Sequence, residues 1–370
     1  MKVIFDRGTL VESLNLVSGV VVARTPKPVL RCVKVTAQEG SLTLSATDLE
    51  ISVRTSTPRV EVEEAGEALV PCEKLSQIVR ESVDPTLSLE VDQDVAHIRG
   101  PDSHFQIYGQ PVEDFPSVTE FSGEADFKID AGQFGQLIGQ TIFAAARETS
   151  RYAMNGVLID RNGKEIAVVA TDGRRLALAK GDCKQAKDNG GGGPHAAIVP
   201  TKALQMLPRL FSDTEEDVSV RIADNTITFA TDQAVLASNL VEGSFPPYKD
   251  VVPKDGDRKA TLGTDVFARA VRRAALLTNE ESKGVRINFG SEGMTLSSRA
   301  PEMGEAEIHA DIVKYDGDPV EIGFNPFFIL DALKVVRADE VVLDLKAPNK
   351  PGVLRGGKNF LYVIMPVNLQ

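Results

Sequence analysis

Val70-Pro71-Cys72-Glu73-Lys74-Leu75 returns further along the chain as Val199-Pro200-Thr201-Lys202-Ala203-Leu204. A looser copy, Phe324-Asn325-Pro326-Phe327-Phe328-Ile329-Leu330, stands about as far again downstream. Each copy reads as a strand ending where a short helix begins. Upstream of each runs a longer helical pattern, with Leu10, Leu14 and Val17 in the first, Phe134, Leu137, Ile138 and Ile142 in the second, and Phe267, Ala270, Val271 and Ala274 in the third. The three-and-four spacing is that of a helix with one buried face. Strand-like segments at Lys2 to Asp6, Asp126 to Asp130 and Arg258 to Gly263 precede these helices. Alternating runs such as Ser41 to Ala46, Ile166 to Thr171 and Gly293 to Ser298 lie between the paired helices. Every third of the chain thus carries strand, helix, about three strands, strand, helix and more strands, a long-period repeat that predicts an α+β fold in three tandem copies.

The junctions agree with that period. Asp114-Phe115-Pro116 and Ser244-Phe245-Pro246-Pro247 close the first and second copies, and proline restricts its predecessor and ends a pairing run. Linkers are expected near residues 115 to 124 and 246 to 257, giving domains 1–122, 123–252 and 253–370. Asp188-Asn189 followed by Gly190 to Gly193 reads as a loop inside the second.

The length of 370 residues is itself too great for one ordinary core, and at roughly 150 residues per domain it allows two or three. With 42% hydrophobic and 25% charged residues, the composition is globular rather than disordered. No apolar run approaches the ~20 residues of a membrane helix, and Met1-Lys2-Val3-Ile4-Phe5-Asp6-Arg7 alternates like a strand where a signal peptide would be continuously apolar. Cys32, Cys72 and Cys183 are far apart with no Cys-x-x-Cys pair, which indicates neither a disulfide framework nor a zinc site and fits a reducing cytoplasm. The net charge of −12 argues against indiscriminate adhesion to nucleic acid or anionic lipid, while leaving room for a locally basic surface.

Catalytic chemistry has no positive signal. His97, His104, His195 and His309 share no metal-ligand spacing and sit in no acid/base motif. Gly190 to Gly193 lacks the Lys-Ser/Thr of a phosphate loop and leads into Pro194 and a strand. Thr47-Asp48 and Thr171-Asp172 end strands at matching places, where aspartate serves as a turn former more readily than as an acid catalyst. Neither a metal nor a cofactor is expected.

Basic chemistry, by contrast, is organised. Arg269, Arg272 and Arg273 repeat the spacing of Phe267, Ala270, Val271 and Ala274 with a displacement of two positions, about 200° around a helix at ~100° per residue, so they face away from the core. Lys202 and Arg209 oppose Leu204 and Phe211 in the same way, with Pro208 distorting or ending that helix's last turn. Lys74 and Arg80, and Lys334 and Arg337, continue the trend. One such helix is a solvated face; recurrence in all three copies is what a surface meeting the phosphate backbone without reading bases requires. With no Trp and 5 Tyr, there is no stacking row for single strands, which favours duplex.

These repeats, together with Thr171-Asp172-Gly173-Arg174-Arg175-Leu176-Ala177, Arg151-Tyr152 followed by Asn155-Gly156, Ser244-Phe245-Pro246, Gly284-Val285-Arg286, Gly323-Phe324-Asn325 and the terminal Met365-Pro366, resemble the bacterial DNA polymerase III beta subunit family, the sliding clamps, along essentially the whole chain. The resemblance implies the DNA clamp fold: three tandem copies of a two-helix, sheet-backed domain, with a homodimer forming a six-domain ring whose helices line the hole. It implies a non-catalytic processivity factor encircling double-stranded DNA in the cytoplasm. It places DNA contacts on Arg24, Arg80, Arg151, Tyr152, Lys202, Arg209 and Arg273. It places a partner-peptide pocket on Met154, Thr171, Gly173, Arg174, Arg175, Leu176, Pro246, Val251, Asn325, Phe328, Val363, Met365, Pro366, Val367 and Leu369, with Met365 and Leu176 as floor and Arg174 and Arg175 as rim.

The partners implied are the replicative polymerase, the clamp loader and repair polymerases, each inserting a short peptide with glutamine and leucine or phenylalanine anchors. Such anchors suit an adaptable apolar groove. The dimer interface implied is Lys74, Phe105, Ile107, Leu276 and Leu277, with Asp102 and His104 facing Glu302, Glu305 and Glu307. Departures from some relatives are Ala153 beside Tyr152, and Arg174, Ser282, Phe328 and Asn368 where those relatives carry His, Phe, Tyr and Arg. A repeat-built protein scaffold that never meets DNA, and an enzyme acting on nucleic acid, are the competing readings.

Overall fold

Each third of the chain opens with a strand that runs without a loop into a helix. In the computed structural model, which describes residues 1–147, 153–185, 196–210, 216–253, 256–278, 284–301 and 303–368, these strands are Lys2–Asp6, Phe127–Asp130 and Arg258–Gly263. They lead into α1 (Arg7–Ser18), α3 (Ala131–Gly139) and α6 (Thr264–Ala274). The first junction shows why the helix starts there: Asp6 Oδ1 accepts from the backbone N of Thr9 and from its hydroxyl, both at 2.8 Å, capping amides that have no partner within the helix. The expected apolar stripes are buried except at Ile142, which is half-buried in a turn beyond the end of α3, and Arg269, Arg272 and Arg273 are exposed on α6 opposite Phe267 and Val271.

The short helices are α2 (Cys72–Glu81), α4 (Thr201–Leu210) and α7 (Pro326–Val335), each starting directly after a strand or one residue later. Pro208 does not end α4. The helix continues to Leu210, because burying Leu207 and Leu210 offsets the one backbone bond that proline cannot donate. A further four-residue helix, α5 (Tyr248–Val251), occupies the segment expected to be linker.

Between its two helices each third carries five strands among the described residues, one more than the sequence pattern predicts. The additional ones, Val60–Glu64, Lys184–Gln185 and Lys314–Asp316, all pair antiparallel with the opening strand of their own third. Two are too short to display a period, and the first is acidic because it lies at a sheet edge, where carboxylates remain in water.

Two nine-stranded antiparallel sheets dominate. One runs in the order Lys184–Gln185, Phe127–Asp130, Asp217–Ile222, Thr226–Ala230, Ala234–Asn239, Ile51–Thr57, Ser41–Thr47, Cys32–Gln38, Gly66–Pro71. The other runs Ala196–Pro200, Gly156–Asn162, Glu165–Thr171, Arg175–Asp182, Phe360–Ile364, Gly352–Gly356, Glu340–Leu345, Arg258–Gly263, Lys314–Asp316. Each therefore joins two thirds of the chain edge to edge, at Ala234↔Thr55 through Ser238↔Ile51 and at Arg175↔Ile364 through Ala179↔Phe360. By packing, the chain forms two compact units. One holds residues 1–132, 184–194 and 202–240, the other 133–183, 195–201 and 241–370, so the middle third contributes to both. A five-stranded sheet ending in the edge strand His104–Tyr108 completes the first unit. A four-stranded sheet ending in the edge strand Gly304–Ala310 completes the second.

Candidate partner pocket and nucleic-acid interface

The candidate pocket is built in the second unit around the turn that follows Glu165–Thr171. Thr171 Oγ1 donates to the carbonyl of Arg175 at 2.6 Å and accepts from Gly173 N at 3.1 Å, and Asp172 Oδ1 accepts from Arg174 N and Arg175 N, each at 3.0 Å. This is the turn-forming role expected of the Thr-Asp pair. The same pattern closes the first unit's turn: Thr47 Oγ1 to the carbonyl of Ile51 at 2.9 Å, Leu49 N to Thr47 Oγ1 at 3.0 Å, and Glu50 N and Ile51 N to Asp48 Oδ1 at 3.0 and 2.7 Å.

Arg174 is exposed at this turn, but Arg175 is not a rim residue. Its side chain is 11% exposed, Nε lies 3.1 Å from Asp172 Oδ2, Nη1 lies 2.8 Å from Asp331 Oδ2, and Nη2 donates to the carbonyl of Phe143 at 2.8 Å. Burial works against its charge, yet Tyr362, Asp331 and Asp172 outweigh that cost and the guanidinium's pKa is raised. Leu176 and Val363 face each other across paired strands at 2% and 1% exposure, within an apolar cluster that includes Leu158, Ile198 and Tyr248. They back the floor from inside.

The accessible apolar atoms come from elsewhere. Met365 is 41% exposed and Val251 43%, with Met154, Pro246, Phe328, Pro366 and Val367 half-buried. The C-terminal run is held by backbone bonds, Met365 N to the Arg174 carbonyl and Val367 N to the Gly323 carbonyl, each 2.9 Å. Asn325 is committed to capping α7, its side chain accepting from Phe327 N at 3.0 Å. Met365, Pro366 and Val367 also wall a recess of about 640 Å³ with Arg286, Glu321, Gly323, Pro348 and Asn349. Sequence reading missed Glu321, Pro348 and Asn349, which carry no motif, and noticed Arg286 only within Gly284-Val285-Arg286. Leu369 lies outside the described residues.

Of the basic residues, Arg24 is exposed between α1 and the turn at Pro28–Arg31, and Arg80 on α2 donates to Asn15 Oδ1. Arg209 is exposed on α4, and Lys202 on the same helix donates to Asp48 Oδ2 at 2.5 Å. These four belong to the first unit. In the second, Arg273 is exposed on α6, and Arg272, Lys334 and Arg337 line a recess of about 550 Å³ between α6 and α7. Arg151 and Tyr152 lie outside the described residues.

Each unit presents one of the candidate interface edges. On His104–Tyr108, Phe105 is 40% exposed while Ile107 is 8% exposed and packs into its own core. Leu276, 74% exposed, and the half-buried Leu277 sit at the end of α6. Lys74 is exposed and donates to Gln77 Oε1 at 3.2 Å. His104 Nε2 lies 3.1 Å from His97 Nδ1, Glu305 pairs with Arg299 at 3.1 Å and Glu307 with His309 at 3.2 Å. Glu302 lies outside the described residues.

Family profiles for the DNA polymerase III beta subunit match in order along the chain, the N-terminal domain on residues 1–119, the central domain on 128–247 and the C-terminal domain on 249–368. The chain belongs to the DNA polymerase III beta subunit family. Proteins named beta sliding clamp from Pseudomonas putida and Escherichia coli strain K12 are 33% and 31% identical to it, both over the full length of each chain. Among solved structures, the sliding clamp from Pseudomonas aeruginosa bound to griselimycin covers both chains completely at 32% identity and a TM-score of 0.94. The DNA polymerase sliding clamp from Bacillus subtilis does so at 26% identity and the same TM-score. Three tandem clamp domains of mixed α and β structure are therefore the architecture of this beta subunit. No helix among the described residues is long and apolar enough to cross a membrane.

Proposed function

We propose that the chain is a sliding clamp. Two copies close head to tail into a ring around duplex DNA and tether the replicative polymerase to its template, without catalysing a reaction themselves. The observation that carries this reading is membership of the beta subunit family over the whole chain, with relatives named beta sliding clamp at full coverage.

The physical features fit the role. A chain of net charge −12 is a poor DNA binder in free solution, whereas a closed ring needs no tight contact, because topology holds it. Exposed arginines and lysines on α2, α4, α6 and α7, opposite the buried stripes, supply a weak backbone-directed attraction that permits sliding. The ring closes through open edge strands, His104–Tyr108 of one copy beside Gly304–Ala310 of the next, with Phe105 and Leu276 covered at the contact. Pairing these edges also protects them from indiscriminate association.

The polymerase, the clamp loader and repair polymerases compete for the pocket around Gly173, Met365 and Phe328, each through a short peptide with a glutamine and leucine or phenylalanine anchors. Exposed methionine and half-buried proline and valine give such anchors an adaptable apolar surface. No cofactor takes part, and the site of action is the cytoplasm, at the nucleoid.

Retention on DNA tests the reading. Loaded onto a nicked circle, the protein should remain through gel filtration and should be lost when the circle is cut to free ends. Retention on the linear product would mean that it binds without encircling.

A further inference from the structure

Arg175 spends its donors on the protein itself. Beyond its bonds to Asp172, Asp331 and the Phe143 carbonyl, its guanidinium carbon lies 4.5 Å from the centre of the Phe328 ring and 5.5 Å from that of Phe143. One side chain thus joins the 171–175 turn, helix α7 and the turn at Ile142–Ala144, all within the second unit.

The internal repeat supplies a control. The turn Thr47 to Ile51 closes with the same side-chain bonds as Thr171 to Arg175. Yet Ile51 stands where Arg175 does, and Met206, the sixth residue of α4, stands where Asp331, the sixth residue of α7, does. The turn and its following strand therefore form without an arginine-carboxylate pair: in that copy Lys202 of α4, bonded to Asp48, ties helix to turn, whereas the copy that carries the candidate pocket uses Arg175 and Asp331.

We infer that Arg175 and Asp331 are positioning residues for partner binding: they fix α7, and with it the ring of Phe328, against the turn that holds Gly173 and Met365, and neither reaches the bound peptide. This rests on the pocket proposed above. Asp331 enters it from a distance, because its contact is with Arg175 and, at 3.6 Å, Lys334.

The sign of one substitution separates positioning from direct contact. If Arg175 served the peptide, Asp331→Asn would release it and tighten binding. As a positioning residue, Asp331→Asn weakens binding about tenfold, and Asp331→Glu recovers most of that loss. The double variant Arg175→Ile with Asp331→Met, which places the other repeat's residues at these two positions, should melt within a few degrees of the parent yet bind at least tenfold more weakly. The measurement is fluorescence polarisation with a labelled peptide carrying a glutamine and leucine and phenylalanine anchors, with melting temperature and solution mass recorded on each protein. Met365→Ala runs alongside. If it leaves binding unchanged, the pocket itself is misplaced and the inference falls with it; if it weakens binding while Asp331→Asn and the double variant bind as the parent does, only the positioning role is overturned.

Discussion

Leu49 and Gly173 hold the same left-handed position of the same turn, at φ values of 80° and 82°. An L side chain costs about 1–2 kcal/mol there, and glycine avoids that cost at the expense of a more flexible unfolded chain. Nothing lies within 4 Å of a Cβ added at Gly173, so its substitution is governed by the backbone alone. Gly173→Ala should destabilise by about 1–2 kcal/mol. Leu49→Gly should be neutral or stabilising by up to about 1 kcal/mol. Urea midpoints at constant m-value would show whether the two substitutions act in opposite directions.

At the proposed DNA-facing surface, Lys202 should contribute less than its place on α4 suggests, because it is paired with Asp48. Asp48→Asn keeps the oxygen that accepts from Glu50 N and Ile51 N and removes the charge. Binding to linear duplex should strengthen at low salt, and the slope of log K against log salt should steepen by about one unit. Lys202→Ala should then cost more affinity in the Asp48→Asn background than in the parent. Equal costs in a salt titration would show that the ion pair leaves the lysine available.

Leu276 is the most exposed of the leucines at the candidate ring contact. Covering it would contribute roughly 1.5–3 kcal/mol per contact, so Leu276→Asp should move the solution mass from two subunits towards one. Light scattering across a dilution series reads this directly, and an unaltered dimer would place the interface elsewhere.

Cys32 and Cys72 predict the alkaline limit of stability. Burial pushes the Cys32 thiol up to about 11 and raises that of Cys72 as well. The folded chain holds the proton longer than the unfolded chain, whose thiols titrate near ~8.5. Stability from this source is therefore complete below that pH and is lost as pH rises towards the folded value, by roughly 3 kcal/mol for Cys32. Cys32→Ala should flatten the decline in urea midpoint between pH 8 and 10.5.

The paired helices of each repeat were legible from the three-and-four spacing of their apolar residues, to which α6 adds an opposed basic stripe of the same period, Phe267 and Val271 against Arg269 and Arg273. Strand neighbours were not. Alternation tells which face of Ala234–Asn239 is buried and says nothing of Ile51–Thr57 beside it. The inward turn of Arg175 was equally hidden, since a charge in sequence reads as solvent and Asp331, the carboxylate that ties it to α7, is 156 residues away. The edge position of Val60–Glu64 followed the same logic in reverse: its glutamates advertise water, and only the pairing with Lys2–Asp6 makes it a strand.

The middle repeat owns no sheet. Its strands are divided between a sheet completed by the first repeat and a sheet completed by the last. Excising the first repeat would strip Ala234–Asn239 of its neighbour, and excising the last would strip Arg175–Asp182, in each case baring a ladder of unpaired amides beside apolar side chains. A gene-level module of one repeat is thus not a physical module. Exchange of repeats between relatives can succeed only where both seams travel together, and shortened chains should self-associate through the bared ladder rather than persist as smaller soluble clamps.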